Sequence, residues 1–441
     1  MPTPQPTIAR PPQMPRKPAL HLLPGLSAVP AGAVAAARGR GPSLPGPVTA
    51  DSALPHAVFG HTRYAPLIGL AWLHFVNDGA SNFLPGILPA ILMAWGYQPE
   101  FAGVLMFALV AGQGLQPIAG LFTRFLGGPR LIWLGTAGTA VGMGLLSFTT
   151  GLPWLLAVLA FIGLASAGFH PQALATARVY AGRHGHLGLS IMLLGGEIGR
   201  GAWPLVVGAL VAWGSLSHLW LLTVAILATL PLTHRALRTL PAPASVWHVC
   251  FRGRFAATLR LLVYVTFRGL AVIGAMVYLP LLWQSLGGGL VGGASLVTVL
   301  MMAGLPATVY GGYLADRIGR PPLLVGAAIA MAAGLALVAT ENPVALWAGA
   351  ALTGVAAFAS YSVTTLEGQD LYPENRPFGS GIVFGLGNAL GAGLAALTGL
   401  LASTWSLPGL FWLFAVVALA TAPLGLPVGA FARLRPERAT Q

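Results

Sequence analysis

Apolar stretches of near 20 residues recur from Ala65 to the C-terminal region, and no other feature of this chain limits its possible folds so far. About 20 apolar residues is the length an α-helix needs to cross the hydrocarbon core of a bilayer. Backbone N–H and C=O groups find no water there, so each span must satisfy its own hydrogen bonds as a helix or lie in a closed barrel. Of all residues, 56% are hydrophobic and only 7% are charged, against about 25% charged in a soluble domain. The expectation is an all-α polytopic membrane protein. Twelve spans are read, at about 65–95, 100–122, 130–149, 152–177, 188–213, 216–234, 259–286, 291–314, 321–340, 343–368, 378–402 and 407–431.

The basic residues orient these spans. Of the 23 Lys and Arg, 21 fall in the two tails or in alternate inter-span loops, and the loops between hold none. Positive charge is retained on the cytoplasmic side, so both termini are expected there. The net charge of +13 is scattered over short loops and forms no patch, which argues against a nucleic-acid partner. The single cysteine, Cys250, excludes an intramolecular disulfide and a cysteine-based metal cluster.

Residues 1–63 are rich in Pro, Gly and Arg and contain no stretch able to span. They read as a disordered cytoplasmic tail; an organelle-targeting segment or an over-long start would share that composition. The remaining division is a six-helix half at 64–234, a basic cytoplasmic linker at 235–258, a second half at 259–432 and a short basic tail at 433–441.

The two halves are repeats. "AGLFTRFLGGPRLI" (119–132) corresponds to "GGYLADRIGRPPLL" (311–324) at an offset of 192. "SIMLLGGEIGRG" (190–201) corresponds to "SGIVFGLGNALG" (380–391) at an offset of 190. Repeats in the same orientation imply two pseudo-symmetric halves that meet around a midplane site.

"GYLADRIGRPPLL" resembles the loop that follows the second helix of each half in the major facilitator superfamily. "HFVNDGASNFLPGILP" (74–89), "GFHPQALATA" (168–177), "GGEIGRGAWPL" (195–205) and "QDLYPENRPFGSGIVFGLG" (369–387) are together similar to its fosmidomycin-resistance-like branch. The resemblance covers about 65–431 and implies a monomeric inner-membrane exporter of small molecules, run by the proton gradient, with no cofactor. It also implies a cytoplasmic latch built from Gly312, Asp316, Arg317, Gly319 and Arg320, with Glu367, Asp370 and Glu374 as partners. Simple anchoring by positive charge is the plainer reading of that loop. In the first-half loop Arg124 stands in place of Asp316 and Gly128 in place of Arg320, and the antiporter glycine–proline motif of span five is present only loosely.

Four strong charges lie within spans: Asp78, Glu197, Arg200 and Arg268. They sum to zero, as partnered intramembrane charges should. The offset of 190 makes Asp78 and Arg268 equivalent positions on the first helix of each half. In the superfamily both helices line the central cavity. The expectation is that the two face each other across it and take part in proton coupling; a static salt bridge, or Asp78 bonded only to Asn82 and backbone, is the alternative. Glu197 and Arg200 share a helix face at a spacing of three. They read either as a local ion pair or as a second proton site beside an anion-attracting cation.

His74, Asp78 and Asn82 form one stripe at a spacing of four, with Asn77 beside it. With Gln113, Gln116, His170 and Asn388 they are candidate substrate contacts, each equally readable as an inter-helix hydrogen bond. No P-loop, His-Glu-x-x-His or nucleophile elbow is present, so neither an enzyme nor a resident metal is expected. The function expected is proton-coupled antiport of a small organic compound or drug, an anion being favoured by Arg200 and Arg268. Proton-coupled uptake of an organic anion is the rival, and a non-transporting membrane sensor or scaffold is the second alternative.

Overall fold

The structure, a computed structural model, describes residues 64–119, 128–181, 185–237, 249, 251–402 and 404–426. The N-terminal tail, most of the first-half loop with Arg124, Arg183, most of the basic linker with Cys250 and the C-terminal tail lie outside the described residues.

The first half opens with α1 (Tyr64–Asn82), a 3-10 turn (Leu84–Ile87) and α2 (Leu88–Trp95). Pro85 and Pro89 sit at the starts of the turn and of α2, where a missing N–H costs little. The expected first span is therefore broken two-thirds of the way along. Next come α3 (Glu100–Gln113), α4 (Gln116–Ala119), α5 (Gly128–Leu145), α6 (Leu152–Ala181), α7 (Gly185–Trp213) and α8 (Leu219–Leu237). The second half holds α9 (Phe255–Ser285), α10 (Leu290–Ile318), α11 (Arg320–Val338) and α12 (Pro343–Leu371). It closes with α13 (Arg376–Gly381), a π-helical segment (Ile382–Gly387), α14 (Asn388–Gly399) and α15 (Leu407–Ala420).

Among the described residues, nine helices are long and apolar enough to cross a membrane. The expected spans at 65–95 and 100–122 are helical but interrupted, and α7 carries Glu197 and Arg200 at its centre. Pro171, Pro204, Pro231, Pro280 and Pro306 stand inside helices. Long helices keep a proline only where neighbours take up the freed carbonyl.

Small residues set how closely the helices pack, because lipid supplies no hydrophobic drive between helices. Gly195 and Gly199 of α7 lie against the backbone of α1 at Ala71 and Phe75, with no room for a methyl group. This is the close packing expected of their GxxxG spacing, and it brings α7 onto the polar stripe of α1. Between the halves, α7 packs on α10 with Gly208 against Ala294 and Gly201 against Met302. α3 packs on α14, with Gly103 against Ala396 and Gly114 against Ala389.

Candidate functional site

The polar stripe of α1 is buried. Asp78 and His74 are each 2% exposed, and Asn77 not at all. The Asp78 carboxylate gathers four groups from three helices. His170 Nε2 of α6 lies 3.1 Å from Oδ1, and Asn77 Nδ2 donates to the same oxygen at 3.2 Å. Arg200 Nη2 of α7 lies 3.2 Å from Oδ2, with His74 Nε2 at 3.4 Å. The same Arg200 nitrogen is 3.2 Å from Glu197 Oε1, so one guanidinium joins two carboxylates. Asn77 is held in turn by Ser166 and Thr139. Asn82 Nδ2 donates to the Asp78 carbonyl at 2.9 Å, and Gln113 Nε2 to the Ser81 carbonyl at 3.3 Å. Gln116 opens α4 and is partly buried.

His74 Nδ1 lies 2.8 Å from the Met192 carbonyl, and His170 Nδ1 lies 2.9 Å from the Ser166 carbonyl. A carbonyl only accepts, so both Nδ1 atoms carry hydrogen. Each Nε2 then bears a proton only when its ring is an imidazolium, yet each faces a carboxylate oxygen. Two lone pairs in contact repel. The His170–Asp78 contact, at 3.1 Å, is therefore complete when a proton lies between the two, whereas His74 Nε2, at 3.4 Å, makes no hydrogen bond among the described residues. The His74 and His170 rings meet edge to face at 5.3 Å, which fixes this arrangement.

The three ligand atoms of His74, Asp78 and His170 lie within 4.8 Å of one another, a spacing that a small metal ion could also use. The Arg200 guanidinium already on the carboxylate opposes a divalent cation there.

Arg268 of α9 stands apart. In this conformation no ion pair or hydrogen bond joins it to Asp78 among the described residues; the expected pairing is for one conformation, with separation in the other. Each charge instead finds partners in its own half. Arg268 is 1% exposed. Its Nη1 donates to Ser360 Oγ at 3.3 Å and Thr364 Oγ1 at 2.8 Å, and its Cζ lies 3.9 Å from the Tyr361 ring centre. The offset of 190 carries His170 onto Ser360 and His74 onto Tyr264. The Asp78–His170 and Arg268–Ser360 contacts are thus the same contact in the two halves, with the residue types exchanged. Asn388 Nδ2 donates to the Phe384 carbonyl at 3.0 Å, within the π-helical region.

The latch loop differs in detail from its expectation. α10 continues to Ile318, which puts Asp316 in its last turn rather than in the loop. Gly319 turns the chain with φ of +90°, a value that excludes ordinary side chains. Arg320 pairs with Asp370 at 2.7 Å, but Glu367 goes to Arg260 at 3.1 Å and Glu374 to Arg254. Arg317 covers the Tyr313 ring at 4.6 Å, and Gly312 lies beside Ser362.

Residues 261–441 match the family model of the Major Facilitator Superfamily. The second half of the chain is therefore similar to that superfamily. An uncharacterized MFS-type transporter, YfnC of Bacillus subtilis (strain 168), is 26% identical over 351 residues, covering 74% of this chain and 84% of its own length. The fosmidomycin resistance protein of Escherichia coli (strain K12) is 26% identical over 345 residues, covering 74% of this chain and 83% of its own. The crystal structure of the nucleoside transporter NupG superposes with a TM-score of 0.66 at 13% identity, over 82% of this chain and 98% of that one. That likeness concerns the fold alone. These likenesses are to membrane transporters, in keeping with the nine membrane-length helices among the described residues, and nothing in them points to catalysis.

Proposed function

We propose that this chain is a member of the Major Facilitator Superfamily and a proton-coupled secondary transporter of twelve spans, both termini cytoplasmic, acting as a monomer in the inner membrane and exporting a small organic compound or drug by antiport. The observation that carries the reading is the proton ledger at Asp78. Two imidazoles locked as Nδ1–H donors face one carboxylate, which is a place for exchangeable protons. Arg200 ties that place to Glu197 and to α7, the helix that packs on α10 of the other half. Changing the proton count changes the charge beside the interface on which alternating access turns. The resistance function named for the Escherichia coli relative favours the outward direction.

The alternative, uptake of an organic anion with protons, is favoured by Arg200, since protonating Asp78 releases this cation toward an anion. The test is a susceptibility screen in an efflux-deficient host, with wild type and Asp78→Asn at matched membrane levels, against toxic compounds that include fosmidomycin. Protection by the wild type that Asp78→Asn loses is the expected result. Sensitisation by the wild type would turn the direction to uptake. Equal behaviour across the panel would remove the export reading.

A further inference from the structure

A guanidinium carries five N–H groups in one plane and presents them as paired edges that match a two-oxygen anion. In Arg268 the Nη1 group is spent on Ser360 and Thr364, and Tyr361 covers a face of the plane. Nε and Nη2 are buried and have no hydrogen-bond partner among the described residues. These two nitrogens form the side edge of the group, whose N–H bonds run parallel and take a carboxylate or phosphate-type group side-on. Arg200, Arg254, Arg260 and Arg320 each have a carboxylate within 3.2 Å. Arg268, the most buried of the five, has none among the described residues.

The groups around Arg268 leave its charge without a carboxylate partner among the described residues. The titratable groups in electrostatic range of Arg268 are Tyr264 and Tyr361, with no acid among them. Tyr361, whose ring lies 3.9 Å from Arg268 Cζ, is also in electrostatic range of Arg200 of the other half. The wall beside Arg268 is the π-helical segment, packed on α9 with Gly387 against Val265 and the Gly387 carbonyl near Gly269. A π turn inside an otherwise α-helical span holds one residue more than the α pitch needs. Its return to α geometry turns the following helix and moves this wall.

We propose, building on the transport reading above, that the Nε–Nη2 edge of Arg268 is the docking point for an oxyanion on the transported molecule. In the present state the edge is closed off. It opens when the π segment moves, and the anion then supplies the counter-charge that Arg268 lacks. The bound anion lies over Tyr361, between Arg268 and Arg200. This commits the substrate to a carboxylate or a phosphate-type group, and a neutral compound does not satisfy the site.

Binding is measurable without transport. The full-length protein in lipid nanodiscs is titrated calorimetrically with benzoate, phenylphosphonate and the neutral benzamide. The expected result is saturable binding of at least one anion, about tenfold or more tighter than benzamide, as befits charge-assisted bonds. Which anion binds decides between the carboxylate and the phosphate-type source. Arg268→Lys keeps the charge, loses the edge and weakens the anion by about tenfold. Arg268→Gln removes the preference for anion over amide. Arg254→Gln, at an ion pair near the linker, leaves the preference intact. The proposal is overturned if neither anion saturates at about tens of millimolar, or if Arg268→Lys and wild type bind equally. Should Arg268→Gln not fold, Arg268→Lys and the comparison of anion with amide on the wild type still decide. Anion binding through Arg268 with no flux would leave the docking point standing and remove the transport reading; flux with no anion preference would do the reverse.

Discussion

Arg200 is held by two carboxylates at once, and this predicts that their removal is non-additive. The perturbations are Asp78→Asn, Glu197→Gln and the double variant. Each carboxylate oxygen lies 3.2 Å from the same Nη2. Glu197→Gln loses one charge-assisted bond at a side chain that is 23% exposed, where water replaces part of it, so the expected cost is about 1 kcal/mol. Asp78→Asn loses a fully buried acceptor, but Arg200 keeps Glu197 and the two imidazoles can be neutral, so the cost is about 2 kcal/mol. Simple addition gives about 3 kcal/mol. The double variant, however, leaves Arg200 with no counter-charge at a side chain only 19% exposed. An uncompensated buried charge costs about 3–5 kcal/mol, and the imidazole contacts of Asp78 are lost as well. The total is about 5 kcal/mol, with an interaction energy of about 2 kcal/mol. Reversible unfolding of the four proteins in mixed micelles, followed by tryptophan fluorescence, measures it. Strict additivity would refute the shared guanidinium and reduce both contacts to independent pairs.

Other expectations follow from packing and charge. Gly354 of α12 lies against the Leu300 carbonyl with no space for a methyl group, so Gly354→Ala should cost about 1–3 kcal/mol in the same unfolding assay. Gly326 of α11 has open space around it, and Gly326→Ala there should be neutral or stabilising by up to about 1 kcal/mol. The Arg320–Asp370 pair is exposed, so Arg320→Gln should change stability by less than about 1 kcal/mol. If the loop is a latch, the same variant should shift the accessibility of an introduced cysteine to a membrane-impermeant thiol reagent. An unchanged labelling rate leaves the loop as a positive anchor only.

Hydropathy located the helices well because burial in lipid demands long apolar runs. It placed several ends short: α6 runs to Ala181 and α10 to Ile318, beyond the apolar stretch. Helical hydrogen bonding continues past the hydrocarbon into polar turns, and hydropathy does not register it. The stripe His74, Asp78, Asn82 was legible from its period of four. His170 was visible as a polar residue near the inner end of a span, but its contact with Asp78 depends on how α6 lies against α1. Ser166, Thr139, Ser360, Thr364 and Tyr361 carried no signal, since hydroxyls are common in spans and usually bond to their own helix. The internal repeat relates the Asp78–His170 and Arg268–Ser360 contacts at one offset. It relates Asp78 and Arg268 by position within each half, and such symmetry does not by itself tell which partners each takes in a given conformation.

The direction of coupling can be read from one thermodynamic quantity. Any effect of protons on anion affinity equals the effect of the anion on proton affinity. The groups that face this linkage are Asp78, His74 and His170, with Arg200, Glu197 and Tyr361 alongside. If protonation of Asp78 frees Arg200 toward Tyr361, the anion binds more tightly as pH falls, and protons and substrate travel together. If Glu197 holds Arg200 whatever the state of Asp78, protons give the anion no such help. Antiport needs the opposite sign from symport: loading the protons must weaken the anion. Export therefore predicts that benzoate affinity falls as pH is lowered from about 8 to about 5.5, the range in which imidazoles titrate, and a flat profile would mean that the two are uncoupled. It also predicts that Glu197→Gln, by unfastening Arg200, makes affinity rise toward low pH. A rise already present in the wild type, unchanged by Glu197→Gln, would overturn export and establish the same residues as the machinery of proton-driven uptake.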